Sequence, residues 1–279
     1  MQNVSAEPRT DELNCKLETL RTILSGYERL AVAFSAGVDS TLLLAVAHDV
    51  LGEGALAVTG RSPAVPAREI REAEEFCREH NISHVVVDTH EFDLPGFDHN
   101  PPNRCYLCKK ELFSTMAQAA LDQGFNLMAE GSNLDDDADY RPGFRAVQEM
   151  GVVSPLREAN LTKADVRALA KHLGLAAWNK PAFACLNSRF PYGDHITMEK
   201  LALVDSAEEY LQNLGFNQVR VRIQDNAARI EVLPEHIARL VEDPLRIEVV
   251  KTLKGKGFSY VSVDLQGYRT GSMNETLGE

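Results

Sequence analysis

Residues 30–47 read LAVAFSAGVDSTLLLAVA. The apolar run 30–34 predicts a short buried strand, and 40–51 predicts a helix. Between them lie Ser35, Ala36, Gly37, Val38, Asp39 and Ser40, small or polar residues at a strand-to-helix turn. Small side chains let backbone N–H groups approach an anion, and the helix N-terminus adds a partial positive charge. Phosphate or pyrophosphate fits such a turn. It lacks the lysine of a Walker A loop and the spacing of a GxGxxG fingerprint. Taken alone, the same six residues would also make a tight turn capped by Asp39 or Ser40.

The flanking pattern decides between the two readings. Leu13, Leu17, Leu20 and Leu24 recur at helical spacing, so 11–25 is expected to be an amphipathic helix packed on the first domain. After the turn, strands over 55–59, 84–87 and 126–129 alternate with helices over 66–80 and 109–123. A short strand over 152–155 and a helix up to Leu173, N-capped by Thr162, follow. Repeated alternation predicts a parallel sheet covered on both faces, and such sheets bind nucleotides at the carboxyl ends of their strands. The turn after the first strand sits there.

The Pro-, Asn- and Gly-rich run WNKPAFACLNSRFPYGDHIT, 178–197, then breaks the periodicity and is long for a linker. Beyond it a helix over 198–214, strands over 218–223 and 228–232, a mostly helical 234–254 and a strand over 260–264 predict a small α+β domain. The expected division is 1–178, an interdomain loop 179–196, and 197–279.

Bulk properties narrow the function classes. The 279 residues carry 41 acidic and 29 basic side chains, a formal charge of −12, which disfavours a polyanionic nucleic-acid substrate. The first residues have neither a basic nor an apolar leader pattern, and no apolar run reaches membrane-span length, so a cytoplasmic chain with no membrane association is expected. Five scattered cysteines, Cys15, Cys77, Cys105, Cys108 and Cys185, do not form a disulfide framework.

A second motif, EGSNLDDDADYRPG (130–143), follows the strand over 126–129 and belongs on the same sheet edge as the turn. Gly131, Ser132 and Asn133 are candidates for nucleotide contact. Asp135, Asp136 and Asp137 suit either a water-bridged Mg2+ or helix capping. Arg141 and Arg145 suit phosphates or surface ion pairs.

Cys105 and Cys108 stand as CxxC in NRCYLCKKEL at a helix entrance, and Cys185 lies in the long loop. A helix N-terminus with Arg104, Lys109 and Lys110 favours thiolate, the form that metals and sulfur chemistry use. Zinc, with His99 as the nearest fourth ligand, a redox pair, and a three-cysteine iron–sulfur cluster all remain open on spacing alone. Cys15 and Cys77 read as surface and packing residues. In QVRVRIQ, strict alternation puts Val219, Val221 and Ile223 on one face and Arg220 and Arg222 on the other, a pair suited to a phosphate or to a solvated face.

The turn resembles the SGGxDS loop of the ATP pyrophosphatase superfamily, with Ala36 at the second position, and GSNLDD resembles its GTNxDD segment. Together with RCYLCKK, VSPLREANLTKADVRALAKHLGL, WNKPAFACLNSRFPYG, VRVRIQDNAARIEV and GYRTGSMNE, these segments make nearly the whole chain similar to the LarE family of ATP-dependent sulfur transferases. The resemblance implies a HUP-like, Rossmann-type ATP pyrophosphatase domain with a C-terminal α+β domain for substrate binding and oligomerisation. It implies that ATP and Mg2+ are used to adenylate the carboxylates of pyridinium-3,5-biscarboxylic acid mononucleotide, so that sulfur can displace AMP. The product belongs to the biosynthesis of the nickel-pincer cofactor of lactate racemase. It further implies nucleotide contacts from Ser35, Gly37, Asp39, Ser40, Gly131, Ser132 and Asn133, and a substrate-phosphate site from Arg220 and Arg222 with Arg189 and Glu231 as neighbours. A [4Fe-4S] cluster on Cys105, Cys108 and Cys185 would carry the sulfur; the alternative within the family is sacrifice of the Cys185 sulfur. Homo-oligomerisation and transient contact with other cofactor-maturation proteins are likewise implied. A cluster-dependent tRNA thiolase is the nearest rival, opposed by the acidic charge.

Overall fold

The computed structural model describes residues 10–138, 142–181 and 183–269. Arg141, the Asp137 side chain and most of the 267–275 motif lie outside the described residues. The chain divides into two units, one of Met1–Ser62, Glu69–Asp93 and Asn103–Ala182, the other of Pro63–Arg68, Leu94–Pro102 and Phe183–Glu279.

The first unit begins with α1 (Thr10–Ser25), β1 (Leu30–Ala33), α2 (Val38–Leu51) and β2 (Ala55–Arg61). It continues through α3 (Ala67–Glu79), which it shares with the second unit, then β3 (Ser83–Asp88), α4 (Arg104–Asp122) and β4 (Met128–Ala129). The helices α5 (Pro142–Glu149), α6 (Pro155–Glu158) and α7 (Lys163–His172) complete it.

Its four strands are all parallel, in the order β3-β2-β1-β4. Alternation along β1 divides the core. Leu30 and Val32 face a cluster with Leu20 and Leu24 of α1, Leu42 and Leu43 of α2, and Leu169 of α7. Ala31 faces Phe113, Met116 and Ala120 of α4 and Val147 of α5. Each large aliphatic side chain so buried contributes about 1.5–3 kcal/mol. The expected helix on 11–25 packs as anticipated, with all four leucines buried.

Three expected elements differ. α4 starts at Arg104 rather than 109, so that Cys105 and Cys108 lie inside its first turns. The expected strand over 152–155 is reduced to a bridge from Val153 to Ala129, because Pro155 already opens α6. The helical stretch 234–254 is interrupted by Pro244, which lacks the N–H that helix continuation needs.

The second unit contains α8 (Met198–Asn213), β5 (Val219–Gln224), β6 (Ala227–Val232), α9 (Ile237–Val241), α10 (Leu245–Lys256) and β7 (Tyr260–Val263). β5 and β6 are antiparallel, and β6 and β7 parallel. Residues 94–102 join this unit through Asn100, whose side-chain amide donates to the carbonyls of Phe190 at 2.9 Å and Pro191 at 2.8 Å. Among the described residues no helix is long and apolar enough to cross a membrane.

Candidate active site

The order β3-β2-β1-β4 creates a switch point. The chain runs outward through β1, β2 and β3 and then returns to place β4 on the other side of β1. The turn after β1 and the segment after β4 therefore leave neighbouring strand ends on opposite sides of one crevice, the position where open α/β sheets take ligands.

In the turn, Gly37 is the N-cap of α2, and no side chain caps it. The capping role open to Asp39 and Ser40 is thus not adopted, and the first N–H groups of α2 are available to an anion. Ser40, nearly buried, instead ties the turn together. Its hydroxyl accepts from the Ser35 amide at 3.3 Å, lies 3.2 Å from the Ser35 hydroxyl and donates to the Gly37 carbonyl at 3.2 Å. Ala36 takes φ +53°, a conformation that favours glycine. The ammonium of Lys180 braces that residue, donating to the Ala36 carbonyl at 3.0 Å while paired with Glu69 and Glu72.

Gly131 lets the second segment close on the turn. A Cβ there would stand 2.9 Å from the Ser40 amide nitrogen and 3.1 Å from Cβ of Asp39. The adjacent buried Glu130 shapes the loop, accepting from the Ser132 amide at 3.0 Å, the Ser132 hydroxyl at 2.7 Å and the Ser154 hydroxyl at 2.5 Å. Asn133 crosses to the turn, its amide donating to Asp39 Oδ1 at 3.0 Å. The other oxygen of Asp39 pairs with Lys163 at the start of α7. Asp135 accepts from the Lys163 amide at 2.7 Å, and Asp136 accepts from the Asn133 amide at 3.0 Å, so both aspartates cap and close turns. Arg145 pairs with Glu149 at 2.7 Å on the surface. Ser35, Gly37, Asp39, Ser40, Gly131, Ser132 and Asn133 thus gather around one turn; Glu130, Lys163 and Lys180 join them unforeseen.

On α4, Cys105 is exposed and Cys108 half-buried, three residues apart in the first turns. Cys77 is buried in the core, and burial pushes its thiol up to about 12, whereas Cys15 is exposed on α1. Among the described residues no set of three or more His, Cys, Asp or Glu side chains is arranged to hold a metal ion.

In the second unit Cys185 is half-buried and its backbone is fixed. Its carbonyl accepts from the Ser188 amide at 3.0 Å, the Ser188 hydroxyl at 2.8 Å and Arg189 Nη1 at 3.1 Å. Arg189 is fully buried; it also donates from Nη1 to the Ala184 carbonyl at 2.8 Å, and makes a two-pronged pair with Glu208, 2.8 Å on each arm. Glu208 in turn accepts from the Val221 amide at 2.8 Å.

Val219, Val221 and Ile223 are buried as the alternation predicts, but the opposite face is not solvated. Arg220 is only 4% exposed, its guanidinium 5.1 Å from the Phe183 ring centre and 5.2 Å from that of Tyr268. Burial and the neighbouring Arg189 hold it below the usual arginine range. Arg222 pairs with Glu231 at 2.6 and 3.0 Å and donates to the Ser188 carbonyl at 2.5 Å. His99, the candidate fourth zinc ligand, has Nδ1 3.0 Å from Asp98, whose other oxygen lies 3.0 Å from His195.

No protein-family model matches the chain. It is 47% identical over 265 residues to the uncharacterized protein slr1717 of Synechocystis, spanning 95% of this chain and 99% of that protein. It is 40% identical over 268 residues to the pyridinium-3,5-bisthiocarboxylic acid mononucleotide synthase of Lactiplantibacillus plantarum, spanning 95% of this chain and 96% of that enzyme. The argininosuccinate synthase of Natronomonas pharaonis is 27% identical over 164 residues, 54% of this chain and 40% of that enzyme.

Proposed function

The chain belongs to the LarE family of pyridinium-3,5-bisthiocarboxylic acid mononucleotide synthases, and from that premise we propose how its residues make the nickel-pincer precursor. Its first unit is an ATP pyrophosphatase domain. ATP activates each carboxylate of pyridinium-3,5-biscarboxylic acid mononucleotide: a carboxylate oxygen bonds to the α-phosphorus, the bond to the β-phosphate bridge breaks, and pyrophosphate leaves with the electron pair. Sulfur then attacks the acyl carbon, the acyl C–O bond breaks, and AMP leaves; two rounds give the bisthiocarboxylate.

The single observation that carries the adenylation half is the uncapped N-terminus of α2 facing the Gly131–Asn133 segment across the β1/β4 switch point. Ser35, Gly37, Ser40, Gly131, Ser132 and Asn133 would cradle the nucleotide, and Asp39 would face the Mg2+ that ATP brings. Cys105, Cys108 and Cys185 would hold a [4Fe-4S] cluster, which when bound supplies the sulfur; the accessible pair on α4 and the rigidly held Cys185 backbone suit such ligation. Arg220 and Arg222 would bind the substrate phosphate, the first lying over the Phe183 and Tyr268 rings and the second oriented by Glu231. The buried Arg189 would act by positioning the Cys185 loop. The protein would work in the cytoplasm as a homo-oligomer, with transient contacts to other cofactor-maturation proteins and none to nucleic acid.

Anaerobic reconstitution with iron and sulfide, followed by turnover with ATP and the dicarboxylate, tests the sulfur half by mass spectrometry. Oxygen-for-sulfur exchange in the product with an unchanged protein mass is expected. A protein that instead loses the Cys185 sulfur in stoichiometric turnover contradicts the cluster assignment and leaves adenylation standing.

A further inference from the structure

Ala36 keeps φ +53° within the phosphate turn, a left-handed conformation that a Cβ disfavours and that glycine adopts freely. Left to itself, an alanine there returns to negative φ by rotating the peptide units on either side of it. The peptide that joins Ala36 to Gly37 is planar and trans, so its carbonyl and its N–H point in opposite directions. With the Ala36 carbonyl facing Lys180, the Gly37 N–H faces the other way, and it makes no hydrogen bond among the described residues. Reversing that peptide would put a carbonyl oxygen where an anion needs a donor.

Lys180 opposes that reversal. An ammonium has three donors, and these meet three acceptors: the Ala36 carbonyl at 3.0 Å, Glu69 at 2.6 Å and Glu72. Solvent screens the Glu69 pair little, since the Lys180 and Glu69 side chains are 15% and 6% exposed. The backbone of Lys180 is fixed as well, because Arg167 of α7 donates to its carbonyl at 2.8 Å and to that of Trp178 at 2.8 Å. An ammonium whose donors are all committed, and whose charge is answered by two carboxylates, offers the turn orientation rather than a phosphate contact. The carbonyls on either side are already held, that of Phe34 by the Thr59 hydroxyl at 2.8 Å and that of Gly37 by the Ser40 hydroxyl and the Thr41 amide. The Ala36 carbonyl takes its donor from a lysine 144 residues away.

We propose that Lys180 is a positioning residue of the adenylation step. It holds the Ala36 carbonyl outward, so that an alanine keeps the left-handed conformation and the Gly37 N–H faces the phosphates of ATP. Lys180 itself touches neither the nucleotide nor the reacting atoms. The lysine is needed by the turn only while residue 36 carries a Cβ, so the two positions are energetically coupled. This inference rests on the adenylation reading.

The test is a double-mutant cycle on the full chain, with Mg·ATP binding measured by calorimetry for wild type, Lys180→Met, Ala36→Gly and the double variant. Lys180→Met should weaken Mg·ATP about tenfold when residue 36 is alanine, the scale of the left-handed penalty, and less than about threefold in the Ala36→Gly background. A loss of equal size in both backgrounds, which a merely structural or a directly phosphate-binding lysine would give, overturns the assignment, and so does no loss in either. A wild-type chain that binds no Mg·ATP brings down the adenylation reading itself, which separates the two failures. Should Lys180→Met fail to fold, Glu72→Gln loosens the same ammonium from a side chain that is 39% exposed. A loss of Mg·ATP affinity that Ala36→Gly reverses then supports the assignment; unchanged affinity, or a loss that Ala36→Gly leaves in place, overturns it.

Discussion

Arg189 and Gly131 carry opposite kinds of necessity. Arg189 is a charge with its solvent removed; Glu208 neutralises it, and its Nη1 donates to the loop carbonyls of Ala184 and Cys185 and to the Ser188 hydroxyl. Replacing Glu208 with alanine leaves that charge buried and unpaired, which should cost about 3–5 kcal/mol, read as a lower urea midpoint. Gly131 is necessary for what it lacks. Gly131→Ala puts a methyl against the Ser40 amide, so the segment must back away from the turn; ATP binding should fall at least about tenfold by calorimetry with little change in melting temperature. The GSN motif pointed to Gly131 in the sequence as a nucleotide contact, and its packing role follows from the pairing of β4 with β1, which no local pattern reveals. Nothing in the sequence around Glu208 sets it apart from an exposed helix glutamate, yet it is buried. Its partner lies 19 residues earlier, so its burial could not be read from its own helix.

At the scale of elements, α7 is the brace that presents Lys163. Asp165 is nearly buried, and burial by itself raises its pKa, but hydrogen bonds from Lys16 and Thr162 outweigh this and hold it below the usual carboxylate value. A lowered folded-state value means that its contribution is fully present above the unfolded value of about 3.9 and is lost as pH falls through the folded value. Thermal melts should therefore show an acid-side decline below about pH 4 to which Asp165 contributes, and Asp165→Asn should flatten it while lowering the melting temperature at pH 7. The Thr162 cap was legible because Thr and Asp stand at capping-box spacing. The start of α4 was not: Asn103 occupies its N-cap without a side-chain cap bond, so nothing local announces a helix before Arg104. That error hid the placement of Cys105 and Cys108 within the helix rather than before it.

For the molecule as a whole, strand alternation made the parallel sheet and its two covered faces readable, since buried parallel strands need apolar runs and crossover helices. The strand order was not readable, and it is the order that sets the turn and the GSN segment side by side. The alternation left the second unit's arginine face open between a phosphate site and a solvated face, because Phe183, Tyr268 and Glu231, which cover it, come from distant positions. Membership of the LarE family and the geometry of the switch point converge on carboxylate adenylation as the central act. The most direct test is exchange of labelled pyrophosphate into ATP by the purified chain with and without pyridinium-3,5-biscarboxylic acid mononucleotide. Exchange that requires the dicarboxylate and is indifferent to tRNA is the expected result; exchange absent with the dicarboxylate, or driven by tRNA instead, would contradict the account.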